Sequence, residues 1–350
     1  MLTLCWAFGA FAVAHRITRK RLRILCYHGF SVGDQHEFSP FLFMRPEILQ
    51  RHIDLITRMR IPVVSLKDGV AMLASHSVQR GETVITIDDG WKTTLGAVDR
   101  LRAAALPATV YVTSYYVGKP VAVFNVALRY LFWRRRGEKV DVHGVHQQID
   151  GPLDLTRSAE ATIERWIRFA DAELDWRERQ RLLDRIAHAF DLDPAEAFAN
   201  ERFRLLDGAE VAQLSSLGVD IELHAHRHRL PADDFDEAKR EIDENRAALE
   251  AITGMPADHF CYPSGLYASN HPAWLERLHV VSATTCDAGL NAPGANPYLL
   301  CRYLARDDAP DIELAAELSG FSDILRRCRE RLRALVGADS PSLSPVQSGR

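Results

Sequence analysis

The chain has 350 residues, of which 47% are apolar and 26% charged, a composition that allows a sizeable core and excludes a disordered chain. Lysine and arginine number 43 against 47 aspartates and glutamates, so the net charge of −4 provides no general attraction for nucleic acid. The six cysteines show no Cys-x-x-Cys spacing, which predicts inert buried thiols and no disulfide framework.

The first 21 residues predict an apolar and basic helix, because the run MLTLCWAFGAFAVA is followed by HRITRKRLR. The basic residues follow the apolar run, which is the reverse of a secretory signal, although residues 12–14 resemble a cleavage site. The run is also shorter than the roughly 20 residues that span a bilayer. Two interpretations stay open: packing on the domain, or contact of residues 1–23 with anionic lipid. The expected location is cytoplasmic, with or without attachment to the inner face of the membrane.

Strand and helix patterns alternate along most of the chain. Apolar, β-branched runs predict strands, and apolar residues at helical spacing predict the helices between them. Such alternation indicates βαβ units and a mostly parallel sheet. A charged and aromatic stretch at about 118–204 interrupts the pattern and predicts a helical insertion, and the Ser, Pro and Gly-rich residues 337–350 predict a disordered tail. The predicted strands are 23–30, 61–66, 83–87, 108–113, 219–226, 259–265 and 280–285, and the predicted helices include 46–60, 96–106 and 234–254.

Two adjacent carboxylates, Asp88 and Asp89, end the apolar run TVITI. The carboxyl ends of parallel strands carry the ligands and the chemistry in α/β folds. Adjacent side chains on an extended backbone point to opposite sides, so different partners are expected for the two carboxylates. A simple Asp-Asp-Gly turn is the alternative.

Three histidines occur in the five residues HAHRH, 224–228, again at the end of an apolar run. Either His-x-His or His-x-x-x-His spacing can bring imidazoles to one centre. A carboxylate from another strand would complete a set of two histidines and one carboxylate with open positions for water. A metal held in this way activates water and polarises a carbonyl.

Three motifs in order carry a resemblance to a known family. They are TIDDG at 86–90, LSSLGVDIELHAHRH at 214–228 and FCYPSGLY at 260–267. Together they resemble the polysaccharide deacetylases, the carbohydrate esterase group with the NodB homology domain, over about 22–303. The resemblance implies an α/β fold, a distorted (β/α) barrel with fewer than eight strands, here placed at 22–330.

The resemblance also implies an activity and a site. The activity is hydrolysis of a non-peptide amide bond that removes N-acetyl groups from a glycan or lipid-linked sugar. Asp88 is the implied base, and Asp89, His224 and His228 are the implied ligands of a divalent metal, commonly zinc. His226 lies between the ligands and is expected to face substrate or support a ligand, with metal binding as the alternative.

The chain departs from the family pattern at the general acid, since the late Leu-x-His motif is absent. His28, after the first predicted strand, is the candidate substitute, with a structural role as the alternative. Arg302 is expected to hold Asp88 ionised. In the third motif, Tyr262 and Pro263 are assigned to substrate binding, and a backbone N–H near Tyr262 to the oxyanion.

Two other functions remain open at this point. One is hydrolysis of a different non-peptide amide on the same scaffold. The other is a catalytically silent relative that binds glycans, an interpretation that the missing acid motif favours. The pair of aspartates and the outer histidines, His224 and His228, favour an enzyme, because a binding module has no need of a base.

Overall fold

The computed structural model describes residues 1–336, so the predicted tail at 337–350 lies outside the described residues. Short loops join eleven strands and fifteen α-helices in this part of the chain. The strands are β1 (Arg23–Tyr27), β2 (Gly29–Phe30), β3 (Phe43–Met44), β4 (Thr83–Ile87), β5 (Thr109–Val112), β6 (Lys139–Asp141), β7 (Pro152–Asp154), β8 (Asp220–Leu223), β9 (His259–Cys261), β10 (Ser282–Thr284) and β11 (Tyr303–Leu304). The helices are α1 (Leu2–Ala7), α2 (Ala10–Thr18), α3 (Gln35–Phe38), α4 (Pro46–Arg58), α5 (Leu66–Ala74), α6 (Thr94–Ala103), α7 (Phe124–Arg134), α8 (Glu160–Glu173), α9 (Trp176–Ala189), α10 (Pro194–Ala197), α11 (Gly208–Ser216), α12 (Phe235–Thr253), α13 (His271–Arg277), α14 (Asp311–Leu318) and α15 (Phe321–Val336).

Seven of the strands form one parallel sheet in the order β10, β9, β8, β5, β4, β1, β11. Helices between the strands cover the sheet, as parallel strands require, and the four central strands are buried almost throughout. The predicted α/β fold, a distorted barrel with fewer than eight strands, is confirmed.

The two edges of the sheet meet at the segment that contains β11. Leu300 forms a parallel bridge with Thr284 at the end of β10, and β11 pairs with β1 through Leu25 and Cys26. One short stretch of backbone therefore hydrogen bonds to both ends of the strand order. Arg302 lies in this stretch, between the two pairings.

The strand predicted at 61–66 is wrong. Only a single bridge, Val63 with Thr83, forms there. The side chain of Ser65 accepts a hydrogen bond from the N–H of Asp68 and so begins helix α5 at Leu66. Ser65 itself is extended, with φ −62° and ψ 159°, but the helix that it caps begins at the next residue and ends the extended stretch. The apolar residues around Ser65 do not show this.

The N-terminal segment forms two short helices, α1 and α2, where one was predicted. They are separated at Gly9, whose φ of 76° is left-handed. Helix α2 buries Phe11, Ala14 and Thr18, and the Phe11 ring lies 5.0 Å from the ring of Phe321 in α15. Packing on the domain is therefore observed for one face of α2. No helix among the described residues is both long enough and apolar enough to cross a membrane.

Residues 122–205 contribute most of a hydrophobic cluster that is separate from the core of the sheet. Helices α7, α8 and α9 supply its centre, including the buried Trp166, and a capping box between Asp175 and Glu178 begins α9. Phe43 and Trp91 join this cluster from outside the segment. The division of the chain at 22–330 with an insertion at 118–204 stays a prediction.

We expect the folded protein to lose stability in acid because of His259. This residue of β9 is buried, and its Nδ1 lies 2.8 Å from the hydroxyl of Ser282 in β10. Burial lowers the pKa of His259 to about 4. The unfolded chain takes up this proton near pH 6.5 and the folded chain does not, so stability falls as the pH drops from 7 towards 5. Linkage puts the loss at about 1 to 2 kcal/mol.

Urea unfolding at pH 7 and pH 5 measures this loss. We expect His259→Asn to reduce the pH-dependent part by about 1 to 2 kcal/mol. His143→Asn, at a histidine whose side chain is 79% exposed, is the control and should behave as the wild type. Equal pH dependence of wild type and His259→Asn would contradict the assignment.

Candidate active site

The predicted site residues gather at the carboxyl edge of the sheet. Asp88 and Asp89 follow β4 directly, and His224 follows β8. Strand β5 lies between β4 and β8, and the curling of the sheet brings the loops after β4 and β8 together over the carboxyl end of β5. The side chains of Asp88, Asp89 and His224 are buried, whereas that of His228 is 37% exposed.

A backbone corner at Asp89 separates the two carboxylates. The Asp88 N–H still donates to the Tyr27 carbonyl of β1, but Asp89 takes a left-handed φ of 70° and Gly90 one of 78°. A side chain at position 90 would also meet Val112 at 3.2 Å, so glycine fits both the turn and the close approach. The chain turns between the aspartates, and each carboxylate finds its own partners.

Asp89 lies with two histidines around one point. Its Oδ1 is 3.1 Å from His224 Nε2 and 3.3 Å from His228 Nε2, and these three atoms lie within 4.8 Å of one another. His224 Nδ1 donates to the Cys261 carbonyl at 2.8 Å, which leaves Nε2 to face Asp89. Burial alone would raise the pKa of Asp89, but hydrogen bonds from His224 and His228 hold that pKa well below its usual value.

A donor set of one carboxylate oxygen and two imidazole nitrogens suits a divalent transition metal, and zinc in particular. The carbonyl behind His224 is the support that metal-ligating histidines commonly have. Asp89, His224 and His228 therefore fit a metal on the donor chemistry alone. The ligand roles themselves remain a proposal.

Asp88 is held by a buried ion pair with Arg302. The guanidinium donates to both carboxylate oxygens at 2.8 Å, and the two side chains are 2% and 0% exposed. Arg302 also donates to the Thr285 carbonyl and the Thr86 hydroxyl. Burial would raise the pKa of Asp88, but the charge and hydrogen bonds of Arg302, together with the nearby His28 and His224, hold the pKa far below its usual value. Asp88 is therefore ionised at neutral pH.

Two thiols contact the same carboxylate from either side. Cys26 Sγ lies 3.4 Å and Cys261 Sγ 3.3 Å from Asp88 Oδ2. His28 Nε2 is 3.8 Å from this oxygen, and burial lowers the pKa of His28, so the imidazole is neutral at neutral pH. His28 thus lies beside the predicted base, and its role as general acid stays a prediction.

His226 is directed away from the other two histidines. Its Nδ1 is 2.9 Å from the Ser114 hydroxyl and its Nε2 is 3.5 Å from Glu244 on α12. The group formed by Asp89, His224 and His228 does not include it. Its predicted contact with substrate stays a prediction.

In the third motif, the side chains of Tyr262 and Pro263 are buried, whereas Ser264 lines the cleft. Tyr262 is fully buried, and its N–H donates to the Thr284 carbonyl at 3.1 Å, so it is not free for a ligand. Pro263 is also buried. The next residue, Ser264, has a left-handed φ of 55° and lines the cleft beside Asp89, and its N–H makes none of the hydrogen bonds found among the described residues.

A cleft of about 680 Å³ opens over Asp89 and His228. One wall comes from loops after β4, β5 and β8, and the other from the segment around α7 to α9. Residues in the wall that sequence reasoning missed are Trp91, Tyr115, Tyr116, Phe124, Asn125, Arg129, Arg179 and Ser264. Tyr115 and Tyr116 follow β5 at the same edge as the aspartates, so the rule that strand ends carry the site would have found them.

Comparison with known proteins agrees with this geometry. A family model described as polysaccharide deacetylase matches residues 190–282, which include His224, His228 and strand β9. The resemblance to the polysaccharide deacetylase family is confirmed. None of the curated proteins matches the sequence significantly.

Solved structures of deacetylases share the fold. IcaB from Ammonifex degensii aligns with a TM-score of 0.55 at 15% identity, over 85% of this chain and 97% of that one. The deacetylase PplD from Streptococcus pyogenes, in complex with acetate, aligns with a TM-score of 0.54 at 12% identity, over 84% and 96%. A polysaccharide deacetylase from Bacillus cereus aligns with a TM-score of 0.52 at 13% identity, over 85% and 69%. At these identities the structures establish the fold alone, and the family match indicates a hydrolase of non-peptide amide bonds.

Removing one partner of the buried ion pair should be costly. Arg302→Met leaves the Asp88 carboxylate without its countercharge, and we expect a loss of about 3 to 5 kcal/mol in the free energy of unfolding. Urea unfolding at pH 7 measures it. Arg51→Met removes a more exposed partner of Asp311 and should cost at most about 1 kcal/mol. A loss no larger in Arg302→Met than in this control would show that Asp88 is not ionised in the folded chain.

Proposed function

We propose that this protein is a metal-dependent hydrolase that removes N-acetyl groups from a glycan or a lipid-linked sugar. The observation that carries the proposal is the group Asp89, His224 and His228 at the base of an open cleft, with the buried carboxylate of Asp88 beside it. The family match over 190–282 supports the same reaction. These three side chains would hold a divalent ion, with zinc preferred for the nitrogen-rich set.

A divalent ion bound there supplies a Lewis acid, which lowers the pKa of water and polarises the acetyl carbonyl. Asp88 takes the proton from the attacking water. Its Oδ1 accepts a hydrogen bond from Arg302 alone among the described residues, whereas Oδ2 also faces the thiols of Cys26 and Cys261. Oδ1 is therefore the oxygen with a free lone pair. Arg302 keeps this carboxylate ionised between turnovers.

Two further groups of the chain complete the reaction. The free N–H of Ser264 donates to the oxygen that becomes negative when the carbonyl is attacked. His28 lies beside the same carboxylate, with its Nε2 3.8 Å from Asp88 Oδ2, so a small movement of the imidazole would let it take up the proton that Asp88 removed from water and give it to the departing amine. Burial that lowers the pKa of His28 makes its protonated form a stronger acid.

The cleft favours a carbohydrate as substrate. Its aromatic side chains Tyr115 and Tyr116 present apolar faces, and paired arginines such as Arg179 supply donors between them. Apolar faces with a few placed polar groups are typical of ligand sites. Similar structures are those of a polysaccharide deacetylase and of a deacetylase with acetate bound, which supports an N-acetylated sugar here too.

The N-terminal helices support a further partner, the anionic surface of a membrane. Their outward side exposes apolar side chains, and Val13 and Ile17, four residues apart on α2, share one face. Arg16, Arg19 and Lys20 are exposed beside them and form no ion pair with any described residue. Exposed apolar residues flanked by unpaired cations suit a helix that lies in the lipid interface. This arrangement supports residues 1–23 as the contact with the inner face of the membrane.

Metal analysis and acetate release from N-acetylated oligosaccharides test the enzyme proposal. Asp89→Asn and His224→Ala should lose bound zinc, because each removes a ligand. Asp88→Asn should keep the metal and lose at least about a hundredfold in rate, because it removes the base. It also leaves the buried Arg302 without its countercharge, so urea unfolding first establishes that this variant is folded. His259→Asn, away from the site, is the control and should keep both.

Each contrary result has its own meaning. Bound metal without acetate from any glycan would favour a different amide as substrate. A wild type that binds no divalent metal would contradict the ligand assignment of Asp89, His224 and His228.

Sedimentation with vesicles tests the membrane contact. The full chain should bind vesicles of phosphatidylcholine with phosphatidylglycerol, and not vesicles of phosphatidylcholine alone. Changing Arg16, Arg19 and Lys20 to Gln should weaken binding on the order of a hundredfold, at about 1 kcal/mol for each cation. A change of Met255 and Val281, exposed apolar residues elsewhere, to Gln is the control. Equal binding to both vesicles, or none, would contradict the proposal.

A further inference from the structure

Trp91 is a buried residue that contacts a proposed metal ligand. It follows Gly90 directly, its side chain is 3% exposed, and its indole Nε1 donates to Asp89 Oδ2 at 2.8 Å. Oδ1, the other oxygen, faces His224 and His228. Oδ2 of Asp89 thus contacts the indole, and Oδ1 contacts the two histidines.

We infer that Trp91 is a positioning residue that fixes the Asp89 carboxylate for metal binding and links its orientation to the packing of residues 122–205. This inference rests on the proposed metal site.

Asp89 has particular need of such a partner. Its backbone is left-handed, at the corner where the chain leaves β4, and its carbonyl accepts a long hydrogen bond from the Thr113 N–H at 3.4 Å. The direction of its side chain therefore depends on the contacts of the carboxylate itself. A carboxylate that rotated about its last bond would present a different oxygen or both oxygens to the histidines. A hydrogen bond to Oδ2 favours the one orientation in which Oδ1 alone points at His224 and His228. Such supporting contacts typically contribute 10- to 100-fold in metal affinity, as a rough guide.

Trp91 is itself held from the opposite side. Its ring meets Phe43 edge to face at 5.1 Å, and both belong to the hydrophobic cluster of residues 122–205. The backbone around Trp91 is also tied to the end of that segment: Trp91 bridges with Leu205, the Lys92 N–H donates to the Arg204 carbonyl, and the Leu206 N–H donates to the Gly90 carbonyl. The indole therefore cannot shift without disturbing the hydrophobic cluster formed mainly by residues 122–205, which is called the second core below.

A simple core tryptophan is the competing explanation, and the chain offers a matched example of one. Trp166 lies in the same cluster and is 1% exposed, but its Nε1 has no acceptor among the described residues. Phenylalanine at either position keeps an aromatic ring and removes the N–H. Trp91→Phe and Trp166→Phe therefore lose comparable ring area, and only Trp91→Phe loses a contact to Asp89.

Zinc affinity, measured on the full chain by competition with a chromophoric chelator at fixed pH, tests the inference without any substrate. Trp91→Phe should bind zinc about 10 to 100 times more weakly than the wild type, and Trp166→Phe should bind as the wild type. The rise in melting temperature on adding zinc is a second readout, and it should be reduced in Trp91→Phe alone.

Three outcomes would overturn the inference. Equal zinc affinity of Trp91→Phe and the wild type would show a purely structural tryptophan and leave the proposed function standing. Equal weakening by Trp91→Phe and Trp166→Phe would assign the effect to the second core as a whole. A wild type that binds no zinc would overturn the inference together with the proposed metal site.

If Trp91→Phe does not fold, Phe43→Leu provides a second test of the inference. It retains the indole N–H and removes the ring that supports it. We expect a smaller but measurable loss of zinc affinity, on the order of a few fold. Unchanged affinity in a folded Phe43→Leu would contradict the link between the second core and Asp89.

Discussion

The buried ion pair between Arg302 and Asp88 is the interaction on which the rest of the site depends. Removing two charges from water costs several kcal/mol for each ion, and the geometry must recover this through two short hydrogen bonds and a shared low-dielectric environment. Arg302 also lies in the stretch of backbone that contacts both β10 and β1. The charge that keeps Asp88 ionised and the pairings that connect the two ends of the strand order thus come from one short stretch of the chain. Stability and chemistry are coupled at this point.

Left-handed backbone recurs around the cleft. Asp89, Ala225, His228 and Ser264 have φ between 55° and 70°, and they come from the loops after three different strands. Such conformations cost of order 1 to 3 kcal/mol each in non-glycine residues, and they persist where the surroundings determine them. Here the packing of the buried sheet and its loops determines these four conformations. These corners turn side chains out of the strand direction and towards a common point.

Much of the fold could be predicted because the strands are continuous apolar runs and the helices show a clear period. The strand at 61–66 was wrong because Ser65 caps a helix within an apolar stretch. The apolar N-terminus does not show a break, yet Gly9 divides it. Asp88, Asp89, His224 and His228, which lie together in the structure, could be predicted because carboxylates and histidines at strand ends are typical of metal sites and because the motifs resemble those of a known family.

Other parts of the site left no comparable signal. Trp91 was missed because a tryptophan after a glycine looks like core, and only the structure shows that its N–H meets a carboxylate. Ser264, which lines the cleft, was missed because its proposed contribution is a backbone N–H, which no side-chain pattern encodes.

The backbone ladder between residues 90–92 and 204–206 has a consequence for how such proteins diversify. It joins the first motif to the point where the segment at 122–205 returns to the sheet. The entropy of closing a loop grows only slowly with its length, so the chain between β5 and this ladder tolerates large changes in size. Evolution can therefore exchange one wall of the cleft, and with it the shape of the proposed substrate site, while the return ladder keeps the proposed metal ligands in register.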